Sequence, residues 1–132
     1  MKIREGNKLP DAKVFILEKE PKVVSIKQII ESEKVIIFGL PGAFTPTCSV
    51  KHLPGFLNST EEIKKKNVKK IICVSVNDPF VMDAWAKLHK VEDKIIMLAD
   101  NNCDFTKSIG AEIDLSRRGL GMRSKRYTIL VD

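Results

Sequence analysis

Three stretches of the chain are apolar almost without interruption and are closed off by charged residues: "KVIIFGL" (34–40), "KKIICVSV" (69–76) and "KIIMLAD" (94–100). Continuous β-branched runs of this kind predict strands covered on both faces. Two outlying strands are expected at "AKVFIL" (12–17) and "RYTILVD" (126–132). Between the runs the signals turn helical. "SIKQII" opens on Ser25, a suitable N-cap. "TEEIKKK" starts at Ser59 or Thr60, with Glu61 and Glu62 in its first turn. "DPFVMDAWAKLHK" offers Asp78 as N-cap and Pro79 as first helical residue. In that helix Val81, Trp85 and Leu88 recur at helical spacing, so Trp85 reads as a core anchor. Strand and helix alternate, which implies an α/β sheet with helices on its faces. The sequence shows no repeat, low-complexity tract or linker, and 132 residues suit one domain, 1–132.

Composition narrows the function classes. The chain is 43% hydrophobic and 30% charged, which argues against extensive disorder. No apolar run approaches the roughly 20 residues of a membrane helix, and "MKIREGNKLPD" has neither the apolar segment nor the cleavage site of a secretory signal. The net charge of +6 comes mostly from lysine, densest in "KKKNVKK" (64–70). Without arginines or interleaved aromatics this run reads as a solvated helix end rather than a nucleic-acid surface. The three cysteines, Cys48, Cys73 and Cys103, form no CxxC pair and no disulfide framework, and with only two histidines a zinc site is not expected. The setting implied is reducing: cytoplasm, or an organelle matrix if a targeting extension has been removed, and not the secretory route.

The chemistry concentrates in "FGLPGAFTPTCS" (38–49), which leaves the end of the first apolar strand. In α/β sheets, sites form outside the carboxyl ends of strands. Cys48 sits near the expected start of a helix through "SVKHL", where unpaired N–H groups and the helix dipole favour a thiolate. The N–H groups of Thr47 and Cys48 can hold an anionic oxygen, and the Thr45 hydroxyl can stand beside the sulfur. Pro41 and Pro46 stiffen the loop. These residues leave two readings open: a nucleophile, or a small buried apolar filler. A thioredoxin-type dithiol is disfavoured, because Thr45 occupies the place of the first cysteine.

"PGAFTPTCS" resembles the peroxidatic loop of peroxiredoxins, Pro-x-x-x-Thr/Ser-x-x-Cys, with Pro41, Thr45 and Cys48 in its places. "KHLPGF" (51–56), "VSVNDPFVMDAWAK" (74–87), "LAD" (98–100) and "GLGMRSKRYTILVD" (119–132) are similar to the type II, peroxiredoxin-5-like branch. The resemblance implies a thioredoxin-like fold, with a mixed central sheet and helices on both faces. It also implies that the family's last strands and C-terminal helix are missing, so a longer native protein is expected. The implied activity is reduction of hydrogen peroxide and organic hydroperoxides through a cysteine sulfenic acid on Cys48, without cofactor or metal. Arg126 takes the place of the family's arginine. Arg123 is expected in the preceding turn as a positioning or surface residue, His52 as a less favoured partner of Cys48, and Phe44 at a pocket rim or subunit contact. Glutathione with glutaredoxin, or thioredoxin, is the implied reductant. Cys73 is a possible resolving cysteine, 25 residues after Cys48 as in plant-like members, though a central strand would bury it. Cys103 reads as a bystander. A homodimer through residues 41–48 and "NDPFVM" is expected. The rival classes are a thiol–disulfide oxidoreductase and a non-enzymatic redox sensor or chaperone-like oligomer.

Overall fold

The computed structural model describes all 132 residues. Its centre is a six-stranded mixed sheet. In chain order the strands are β1 (Lys13–Leu17), β2 (Pro21–Ser25), β3 (Val35–Leu40), β4 (Lys70–Ser75), β5 (Ile96–Ala99) and, last in the chain, β8 (Tyr127–Val131). They lie in the order β2-β1-β5-β4-β3-β8. The three uninterrupted apolar runs form the parallel middle, β5-β4-β3. The outlying strands pair antiparallel at either side. Helices cover both faces, as burial of both sides of β3 and β4 requires.

Strand alternation sorts the core into two halves. Val35, Ile37, Ile72 and Val74 face one side with Ile26 and Ile30 of α1 (Ile26–Ile30) and Phe105 of α5 (Asp104–Ser108). Phe38, Leu40, Ile71 and Cys73 face the other, with Cys48, with Leu53 of α2 (Leu53–Asn58), and with Met82 and Trp85 of α4 (Pro79–Leu88). A further helix, α3 (Thr60–Lys65), precedes β4.

The expected caps are present at two helices. Ser25 Oγ accepts from Gln28 N (3.1 Å) while Gln28 Oε1 accepts from Ser25 N (3.0 Å), a reciprocal capping box. Asp78 Oδ1 accepts from Val81 N at 2.8 Å. The expected face of α4 is only partly correct: Pro79, Met82 and Trp85 are buried, whereas Leu88 is exposed at the last turn.

Three elements were not anticipated. Strand β2 is one, and helix α5 is another. The third is a short hairpin of β6 (Glu112–Asp114) and β7 (Met122–Ser124), joined through a 3-10 turn at Ser116–Arg118. Arg123 therefore sits in a strand rather than in the turn expected for it.

Gly39 of β3 pairs across the sheet with Tyr127 of β8, whose ring lies over its Cα. A Cβ at this position would meet the ring itself. Gly39→Ala is expected to cost about 1–3 kcal/mol through overpacking, read as a lower urea midpoint at unchanged slope. An unchanged midpoint would show that Tyr127 swings aside freely.

Candidate active site

Strand β3 ends at Leu40 and the chain passes through Pro41–Thr45 into a helical turn. Phe44 has φ of 65°, a left-handed conformation that is uncommon outside glycine and asparagine. Thr47 is already helical, and Ser49 N donates to Thr45 O at 3.0 Å. Cys48 thus lies in the first turn, fully buried. The N–H groups of Thr47 and Cys48 have no acceptor in the chain. From Cys48 to His52 the turn is π-helical, with Leu53 N donating to Cys48 O, before α2 continues it.

The loop is held from three sides. Asn77 Oδ1 accepts from Ala43 N (3.0 Å) and from Ser75 Oγ (2.5 Å), tying the loop to the end of β4. Arg123 donates from Nη1 to Pro41 O (3.2 Å) and from Nε to Leu120 O (2.8 Å), tying it to the hairpin. Trp85 Nε1 donates to Ser49 Oγ at 3.0 Å, pinning the turn just after Cys48. None of these three contacts was legible beforehand, although an asparagine at a strand end ahead of an Asp-Pro cap is a recognisable turn signal.

Arg126, just before β8, donates from Nη2 to Cys48 Sγ at 3.5 Å, and its Nη1 lies 2.9 Å from His52 Nδ1. The alternation of β8 explains the aim: Tyr127 points to the opposite face of the sheet and is buried there. Thr45 does not hydrogen-bond to the sulfur. Its hydroxyl donates to Gly42 O at 2.6 Å, which leaves its lone pairs free to accept. Pro41 is half-buried at the end of β3, and its carbonyl is the one Arg123 engages. His52 pairs with the arginine rather than with the thiol. The i→i+5 register of the π turn breaks the stacking of residues four apart that an α-helix provides.

Cys73 lies in β4 on the same face as Cys48 and is fully buried between β3 and β5. Burial first, and the neighbouring Cys48 second, push its thiol far above the ordinary cysteine range. Cys103 is also buried, and burial and then Asp100 raise its thiol. None of the three cysteines forms a disulfide. A buried thiol beside a guanidinium, near free N–H groups and a hydroxyl acceptor, can attack an electrophile and stabilise negative charge at two adjacent atoms.

The redoxin family profile matches residues 4–132. Peroxiredoxin-2C of Oryza sativa subsp. japonica is 48% identical over 129 residues, spanning 96% of this chain and 80% of that protein. The structure of reduced Prx3 from Vibrio vulnificus in complex with hydrogen peroxide superimposes with a TM-score of 0.92 at 40% identity, covering 98% of this chain and 82% of that one. Peroxiredoxin 5 from Alvinella pompejana gives a TM-score of 0.90 at 37% identity, covering 98% and 83%. Relatives named for the chloroplast and the mitochondrion also match.

Proposed function

The chain belongs to the redoxin family, in its type II peroxiredoxin branch, and from that premise we propose that Cys48 is the residue oxidised by peroxide and Arg126 the group that aligns the two. The activity of the family is thiol-dependent peroxide reduction in antioxidant defence, and the fold is thioredoxin-like.

The observation that carries the assignment is the 3.5 Å bond from Arg126 Nη2 to Cys48 Sγ. In the proposed step the Cys48 thiolate attacks the terminal peroxide oxygen. An S–O bond forms, the O–O bond breaks, and the departing oxygen leaves as water or alcohol after taking a proton. Cys48 is oxidised to sulfenic acid as the peroxide is reduced. Arg126 and the N–H groups of Thr47 and Cys48 hold the oxygens as charge moves onto the leaving one. Thr45, its own proton engaged by Gly42 O, accepts from the peroxide O–H. Pro41, at the end of β3, screens the sulfenic acid from bulk water.

A thiol reductant returns Cys48 to the thiol, and glutathione with glutaredoxin, or a thioredoxin, supplies it. An external thiol condenses with the sulfenic acid to a mixed disulfide and water, and a second thiol releases Cys48. Cys73 resolving internally is the second reading, favoured by its place on the same sheet face as Cys48 and opposed by its burial. A peroxide assay with glutathione/glutaredoxin and thioredoxin side by side separates them. Cys73→Ala is expected to stay within about twofold of wild type with the better reductant. Collapse of turnover in this variant, with a Cys48–Cys73 disulfide in wild type, would make Cys73 the resolving residue.

We also propose a homodimer through the 41–48 loop and the "NDPFVM" stretch. Asn77 joins these two segments, and each carries an exposed phenylalanine, Phe44 and Phe80. The proposed setting is a reducing compartment. No helix of the chain is long and apolar enough to cross a membrane.

A further inference from the structure

The guanidinium that meets Cys48 is itself held from behind. Arg126 is exposed, and a long side chain tethered only by a 3.5 Å bond to sulfur would sample many rotamers. Its second terminal nitrogen meets His52 Nδ1 at 2.9 Å. The imidazole cannot drift: it packs against Phe38 and Phe56, with ring centroids 5.1 Å and 5.6 Å away, and those two rings stack on each other at 4.0 Å. A guanidinium has donors only, so His52 must present Nδ1 as a bare lone pair and carry its proton on Nε2.

We propose that neutral His52 is a positioning residue which holds Arg126 in register with Cys48 Sγ, so that acid slows the peroxide step by protonating His52. The inference rests on the assignment of Cys48 and Arg126 made above. Protonation would place a second donor and a second positive charge against the guanidinium, and the fork would leave the sulfur. Burial first, and the charge of Arg126 second, hold the imidazole below the ordinary histidine range. The ring is therefore neutral at neutral pH, and the loss falls on the acid side. The groups that face it are Phe38 from β3 and Phe56 from α2, which do not ionise, and Arg126 from the segment before β8. Its own turn contributes Cys48 and the exposed Lys51.

The test is the single-turnover rate of Cys48 oxidation by hydrogen peroxide, without reductant, from mildly acidic to mildly alkaline pH. Quenching and mass spectrometry give the rate, and ultraviolet absorbance gives the thiolate fraction, to which each rate is normalised. Wild type should keep an acid limb after normalisation. His52→Leu should be about tenfold to hundredfold slower at neutral pH, the usual worth of one charged hydrogen bond, and show no limb. His52→Gln offers an acceptor that does not titrate. It should stay within about threefold of wild type at neutral pH and also lack the limb. His52→Leu at the wild-type rate, or His52→Gln no faster than His52→Leu, would overturn the proposal. So would an acid limb that survives in His52→Gln, which decides the matter even if His52→Leu fails to fold. Oxidation of wild type at a residue other than Cys48 would instead overturn the underlying assignment.

Discussion

Cys48→Ser is expected to lower peroxide consumption by at least about 10³-fold, to the background of a protein without its nucleophile, because a serine hydroxyl is hardly ionised and the His52 lone pair that could serve as its base is engaged by Arg126. The fold should survive. Cys48 is a small buried side chain, and Ser is nearly isosteric with it. An unchanged circular dichroism spectrum would accompany the loss. Residual turnover near the wild-type rate would move the chemistry to Cys73 or Cys103. Both are poor choices physically, since burial raises the thiol of each.

Arg126→Met should cost about 10²–10³ in the second-order rate with peroxide, the scale of losing one preorganised charge-stabilising donor. Methionine preserves much of the side chain's length and packing, so the loss reports the guanidinium. The reductive half-reaction distinguishes this role from a general defect. Once the sulfenic acid has formed, the rate of its reduction by added thiol should change far less than the oxidation rate. A loss confined to the reductive half would contradict the alignment role. Arg126→Lys should recover part of the rate but not all, because a single ammonium cannot bond to Cys48 and His52 as a planar fork does.

Much of this site was legible from the chain alone, for physical reasons that also mark the limits. The parallel strands β3, β4 and β5 were visible because burial on both faces demands continuous apolar runs. Strand β2 was not: Lys22 is polar, Val23 and Val24 are only half of a short ribbon, and Val23 is exposed. The β6–β7 hairpin escaped because three residues are too few to establish a period. The buried face of α4 was misassigned at its C-terminal end, where Leu88 has no neighbouring element to cover it. Cys48 and its loop stood out through local chemistry, and Arg126 through family resemblance. Contacts spanning the chain did not stand out. Arg126 meets His52 across 74 residues, and Arg123 meets Pro41 across 82. Each depends on the sheet bringing β8 and the hairpin beside β3. The π-helical turn was equally hidden, and it decides that His52 serves the arginine rather than the thiol.

The central claim is that one thiol, Cys48, takes the oxygen from peroxide. The most direct measurement is mass spectrometric mapping of the reduced protein after one equivalent of hydrogen peroxide in the presence of a sulfenic-acid trapping reagent. A single adduct is expected, on Cys48, with Cys73 and Cys103 left as thiols. Trapping on Cys73 or Cys103 with Cys48 unmodified would contradict it.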